Sequence, residues 1–171
     1  MKNKIIFILG GVKSGKSSFA LEQAKKLNKP VSYIATAVIT DKEIAKRVKN
    51  HRLERPASWQ TIEESNNLLN ALKKVKNKTI VVDCINFLVS NLIYQKNPEP
   101  FILKHITEFC NEIKKKNLTV YLISNEVGLS LISPYKLGRD FQSTLGKINQ
   151  ILAKQSNETH FLIAGIPMKI K

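Results

Sequence analysis

The chain is short of acid: its 171 residues hold 13 Asp and Glu against 28 Lys and Arg, a formal charge of +15. It is equally short of cysteine. Cys84 and Cys110 lie far apart and lack metal-ligand spacing, which excludes a disulfide framework and a zinc cluster and leaves two reduced thiols in or near a core. No apolar run approaches the roughly 20 residues of a membrane span. The N-terminus lacks the charged start, apolar block and small-residue cleavage site of a secretory leader. The expectation is a cytoplasmic chain with no stable membrane insertion. No repeat, low-complexity block or Pro/Ser-rich linker divides the sequence, so residues 1–171 read as one domain able to bury a sizeable core. The positive charge raises a nucleic-acid partner. Its lysines, however, sit as Lys25-Lys26, Lys73-Lys74 and Lys114-Lys115-Lys116 on the polar faces of separate helical stretches. They are not interleaved with aromatics as a base-stacking platform requires, and no nucleic-acid partner is expected.

What the chain does have begins at Gly10. Gly10-Gly11-Val12-Lys13-Ser14-Gly15-Lys16-Ser17 has the spacing of a phosphate-binding loop. In such a loop successive backbone N–H groups wrap a nucleoside triphosphate, the lysine reaches the β- and γ-phosphates, and the hydroxyl ligates Mg²⁺. The flanks agree. Lys4 to Leu9 is a short apolar run that reads as a buried strand. Ser18 to Leu27 reads as a helix, with Ala20, Ala24 and Leu27 on one face, so its N-terminus aims free N–H groups at the phosphates.

Strand-like and helix-length segments then alternate. Strands are expected at 31–36, 59–62, 79–83, 118–124 and 159–164, with an edge at 169–171. Helices are expected at 41–49, 65–76, 87–94, 99–116 and 136–154. This order predicts an α/β fold with a mostly parallel sheet flanked by helices, and ligands at the carboxyl ends of the strands. Asp83, Asn125 and Glu126 lie at such ends, as does the loop. Asp83 closes Ile80-Val81-Val82, where a buried carboxylate needs a compensating partner. Mg²⁺ is the favoured one, with Ser17 as its second protein ligand. A helix N-cap is the alternative and is compatible with it.

His51 lies among Arg47, Lys49, Arg52 and Arg55. A cationic patch of this kind would hold phosphates and depress the imidazole pKa, keeping it neutral and nucleophilic. A neutral imidazole attacks phosphorus and splits one difficult transfer into two. Read alone, the residue is equally well a surface histidine. His105 and His160 have no catalytic neighbourhood.

The sequence is similar to one family through the loop 10–17, Tyr33-Ile34-Ala35-Thr36-Ala37, and the block His51-Arg52-x-x-Arg55-Pro56-x-x-Trp59-x-Thr61-x-Glu63. Asp83-Cys84, Ser90-Asn91-Leu92, Asn125-Glu126-Val127-Gly128, Gly146-x-x-Asn149-Gln150 and Gly165-Ile166-Pro167-x-Lys169-Ile170-Lys171 extend the likeness over nearly the whole chain. It resembles the bifunctional adenosylcobinamide kinase / adenosylcobinamide-phosphate guanylyltransferase family of cobalamin biosynthesis. The resemblance implies a recombinase-like P-loop NTPase fold and a homotrimer. It implies phosphorylation of adenosylcobinamide by ATP or GTP, then transfer of GMP from GTP to the resulting phosphate, with His51 carrying GMP covalently. It also implies that Gly10, Gly11, Val12, Lys13, Ser14, Gly15, Lys16 and Ser17 hold the triphosphate and that Ile34, Ala35 and Thr36 line the nucleotide. Arg52, Leu53, Glu54, Arg55 and Glu63 would contact the GMP portion, and Asp83 would serve the phosphate and metal end.

Two places depart from the family pattern. Ser130 stands where a second glycine is common after Glu-Val-Gly, and Gln142-Ser143 stands where Arg-Asp is common. They bear on a subunit contact or on the corrinoid site. Two rivals remain: a P-loop small-molecule kinase without guanylyl transfer, and a nucleotide-dependent switch that binds nucleic acid or protein.

Overall fold

The structure, a computed structural model, describes residues 4–171. The first strand, β1 (Lys4–Gly10), is followed by α1 (Lys16–Lys26), β2 (Val31–Ala35), α2 (Lys42–Leu53), β3 (Gln60–Glu63) and α3 (Leu68–Lys74). Then come β4 (Thr79–Asp83), α4 (Ile85–Tyr94), α5 (Glu99–Lys115), β5 (Thr119–Asn125), α6 (Lys136–Gln155), β6 (Glu158–Ile163) and β7 (Ile166–Lys169). The strands form one sheet in the order β3-β2-β4-β5-β1-β6-β7. Every pairing is parallel except β6 with β7.

The apolar runs explain this layout. β1, β2, β4 and β5 are buried along nearly their whole length, as a parallel sheet covered on both faces demands. One face packs on α3 to α6, through Phe7, Val82, Leu122, Phe109 and Ile148 among others. The other packs Ile8, Tyr33, Val81 and Ile123 on Ala20, Leu21 and Ala24 of α1. Helix α2 is different: none of its residues is buried. Among the described residues no helix is long and apolar enough to cross a membrane. Cys84 and Cys110 are free and buried, and burial pushes their thiols up to about 12 and about 11.

Three elements differ from the sequence reading by more than two residues at an end. Helix α2 runs to Leu53 rather than stopping at 49. The Asp41 side chain caps it by accepting from Ile44 N at 2.8 Å, and no residue before Pro56 opposes the helix. Its continuation places His51 on a helix rather than on a free segment. Helix α3 is shorter than 65–76 because Asn67 caps it, accepting from Asn70 N at 3.0 Å. The edge strand is 166–169 rather than 169–171. Ala164 and Gly165 both take positive φ, 50° and 84°, which makes the tight turn a two-residue hairpin needs.

Candidate active site

The loop between β1 and α1 is shaped by backbone that only certain residues accept. Lys13 and Gly15 have φ of 56° and 90°. A Cβ at Gly10 would fall 2.5 Å from the Leu162 carbonyl oxygen, so glycine lets β6 lie against the loop. Gly165 N donates to Ser14 O at 3.0 Å and Glu126 N to Gly10 O at 3.0 Å. Helix α1 opens from Gly15 with no side-chain cap and no acid in its first turn, which leaves its positive end free for an anion. Lys16 is buried; burial lowers its pKa, against the opposing charge of Asp83. Its ammonium bonds Gly11 O and Ser14 Oγ.

Facing the loop is the inner stripe of α2. A cleft of about 470 Å³ lies between them, walled by Val12 to Ser18 on one side and Arg47, Asn50, His51 and Glu54 on the other, with Asp83, Asn86 and Asn125 at its floor. That volume suits a nucleotide-sized ligand.

Asp83 is the hub. Its Oδ2 accepts from the Tyr33 hydroxyl at 2.6 Å and lies 3.2 Å from His51 Nδ1. Burial pushes its pKa up, but the hydrogen bonds from His51, Tyr33 and Ser17 outweigh it and hold the carboxylate below its usual range. The N-cap alternative fails: Cys84 occupies that position of α4, and the Asp83 carboxylate is engaged on the other side. The expected depression of the His51 pKa is also overturned. The bond to Asp83 raises it; burial and Arg47 oppose that rise without cancelling it. Lys49 and Arg52 are exposed and do not line the cleft, so the patch that is continuous in sequence is split around the helix.

The other implied contacts are dispersed. Ile34 is fully buried in the core. Ala35 and Arg55 border a small apolar gap of about 40 Å³ beneath α2, with Ile44, Val48 and Phe87. Thr36 is buried and holds Cys84 by two bonds, Oγ1 to Cys84 O at 2.6 Å and Cys84 N to Oγ1 at 2.9 Å. Leu53 is 76% exposed, and Glu63 lies exposed at the carboxyl end of β3.

Sequence reasoning missed Tyr33 as a partner of Asp83. It also missed Asn86, whose buried Oδ1 has no partner. The first was within reach: Ala35 pairs with Asp83 in parallel register, which puts Tyr33 on the same face of the sheet two residues back. The Asn86 orphan has no sequence signal.

Ser17 and Asp83 can be weighed as Mg²⁺ donors on their chemistry. The Ser17 hydroxyl and the Asp83 carboxylate both line the cleft at the foot of the loop, where Ser17 helps to lower the Asp83 pKa. Both are hard oxygens. Among the described residues no group of three or more His, Cys, Asp or Glu could enclose an ion. The pair therefore fits Mg²⁺, which takes one or two protein oxygens and fills its shell with phosphate and water.

Comparison with known proteins sets this geometry in context. The family described as cobinamide kinase / cobinamide phosphate guanyltransferase matches residues 6–170. A bifunctional adenosylcobalamin biosynthesis protein of Pseudomonas aeruginosa is 33% identical over 168 residues, covering 96% of this chain and 95% of the relative. The protein of that description from Escherichia coli K12 is 32% identical over 181 residues, covering 98% and 99%. Its counterpart in Salmonella typhimurium is 32% identical over 182 residues. In fold, the chain resembles a KaiC-like protein of Pyrococcus horikoshii with a TM-score of 0.54 at 13% identity, over 94% of this chain and 71% of the other.

Proposed function

Because the chain belongs to the cobinamide kinase / cobinamide phosphate guanyltransferase family, we propose that it phosphorylates adenosylcobinamide with ATP or GTP and then guanylylates the product through a GMP adduct on His51. The observation that carries the second half is the placing of His51 across the cleft from the phosphate loop, with Nδ1 turned to Asp83.

In the first reaction the loop and Lys16 bind the triphosphate, and the lysine exchanges its contacts with Gly11 and Ser14 for phosphate oxygens. Ser17 and Asp83 would hold Mg²⁺, which would offset the charge that builds on the phosphates. Positioning and charge suffice, so no covalent step is needed.

The second reaction breaks the α–β bond. His51 keeps its proton on Nδ1, from which it donates a hydrogen bond to Asp83, and this leaves the Nε2 lone pair free. Nε2 attacks the α-phosphorus of GTP, an N–P bond forms, and pyrophosphate leaves with the electrons of the α–β bond. The imidazole becomes cationic, and the Asp83 carboxylate beside Nδ1 stabilises it. The phosphate of adenosylcobinamide phosphate then attacks the same phosphorus and releases neutral His51 with adenosylcobinamide-GDP. Arg47 and Glu54 border this path, with Arg52, Leu53, Arg55 and Glu63 beyond it as further contacts for GMP.

Nucleoside triphosphates are supplied in the cytoplasm, which supports that location for the enzyme as part of the proposal. A homotrimer belongs to the proposal. Leu129, Leu131, Ile132 and Tyr135 are each more than three-quarters exposed, an apolar surface of the sort that subunits cover; light scattering measures the assembly. The deciding experiment is incubation with GTP labelled on the α-phosphate, beside γ-label and a His51→Ala variant. An acid-labile, alkali-stable α-label that the variant lacks supports the adduct. Bound GTP without α-label reduces the enzyme to its kinase half.

A further inference from the structure

Helix α2 carries the proposed nucleophile, yet it buries no side chain. Ile44 and Val48, its apolar side, border a gap rather than filling it. An element with so little apolar contact is held at the low end of local stability, so the aim of His51 rests on the few specific ties α2 makes to the body. Arg47 lies over the Phe87 ring at 5.6 Å, and Lys25 Nζ donates to Glu54 O at 3.0 Å. Arg55, just beyond the helix, donates to Thr61 Oγ1 at 3.4 Å, and two further ties lead to Tyr33, one through Asp83 and one through Arg55.

Tyr33 stands on β2 and is 2% exposed, so its ring is fixed by the core. Its hydroxyl donates to Asp83 Oδ2 at 2.6 Å, and that same oxygen faces His51 Nδ1 at 3.2 Å. Its ring face carries the Arg55 guanidinium 3.8 Å from the centroid. Arg55 in turn donates from Nε to the His51 carbonyl at 2.9 Å. The side chain of His51 is thus reached through one end of Tyr33 and its backbone through the other. Burial and Asp83 both keep the phenol protonated, so it is the donor in its bond to the carboxylate.

We propose that Tyr33 is a positioning residue for guanylyl transfer: it fixes the Asp83 carboxylate so that Oδ2 accepts from Nδ1 and His51 keeps its lone pair on Nε2. The proposal rests on His51 being the GMP carrier. Without the phenol, the carboxylate turns about its own axis, the Nδ1–H bond loses its fixed acceptor, and both imidazole tautomers become populated. The Nε2–H tautomer has no lone pair at the attacking nitrogen.

Tyr33→Phe keeps the ring and the Arg55 contact and removes only the hydroxyl. Removing a partner that orients a functional imidazole costs on the order of 10- to 100-fold in activity. That loss is expected in the first-order rate of α-label transfer to His51, with little change in the GTP concentration giving half-maximal rate. Nitrogen NMR of His51, recorded above its titration range, should show the Nδ1–H tautomer in the parent and a mixture in the variant. A merely structural role would lower thermal stability and leave the tautomer alone. A parent-like tautomer together with a parent-like rate overturns the proposal. If the parent itself takes no α-label, the carrier reading fails, and the tautomer measurement still decides whether Tyr33 sets the imidazole.

Discussion

Gln142 and Ser130 meet: the Gln142 amide nitrogen lies 3.2 Å from the Ser130 hydroxyl. These are two of the positions at which the chain departs from the family pattern. From α6, Gln142 also donates to Leu131 O at 3.1 Å and accepts from Ser133 N at 3.2 Å. The pair therefore pins the loop that follows β5. Gln142→Ala removes these ties together. We expect that loop to become the first site of limited proteolysis, cleaved roughly ten-fold faster, while nucleotide binding at residues 10–17 is kept; mass spectrometry of the fragments checks both.

The bond from Asp83 raises the His51 pKa, and only the neutral imidazole attacks phosphorus. Guanylylation should therefore rise with pH through a midpoint above the ordinary imidazole value of about 6.5. Asp83→Asn should move that midpoint down as well as slow the reaction. The same bond favours the folded chain at low pH, and its contribution fades as pH climbs through the raised value. A pH series of α-label rates for the two proteins measures the shift.

Gly10→Ala would set a methyl 2.5 Å from Leu162 O and 2.8 Å from Ser14 Oγ. Pushing β6 off the loop should cost about 1–3 kcal/mol and weaken GTP binding. Gly11→Ala meets nothing within 4 Å and should stay within about 0.5 kcal/mol of the parent. Urea unfolding of the two variants compares them directly.

His105 is buried and accepts from Leu68 N through Nε2 at 3.1 Å, a role open only to the neutral ring. Burial holds its pKa down, against Glu108 and Glu64. The unfolded chain therefore takes up the proton first, and stability should decline as pH falls below about 6.5. His105→Phe should remove this part of the decline while leaving Leu68 N unpaired, at a cost of about 1–3 kcal/mol. Unfolding free energies at several pH values separate the two effects.

The phosphate loop and Asp83 were legible because their signals are local: a spacing of glycines, and an acid at the end of a β-branched strand. The sheet was legible for a similar reason, since strands buried on both faces read as continuous apolar runs. The end of α2 was not, because a helix that buries nothing carries no apolar stripe to count. The His51 pKa came out with the wrong sign for a related reason. Its cationic neighbours Arg47, Lys49, Arg52 and Arg55 are adjacent in sequence, whereas the group that governs it, Asp83, lies 32 residues away. The Gln142–Ser130 contact spans 12 residues of loop and helix, and no periodicity announces it.

β1 has only β5 and β6 for neighbours in the sheet, and the loop that follows it is propped by Leu162 and Gly165. The props at Leu162 and Gly165 come from the closing hairpin of the sheet, and the tie from Glu126 N to Gly10 O comes from just beyond β5. A chain that ends before residue 158 would lack β6 and with it the first two props, keeping only the third. The shape of the loop near the start of the chain thus depends on two stretches more than a hundred residues beyond it.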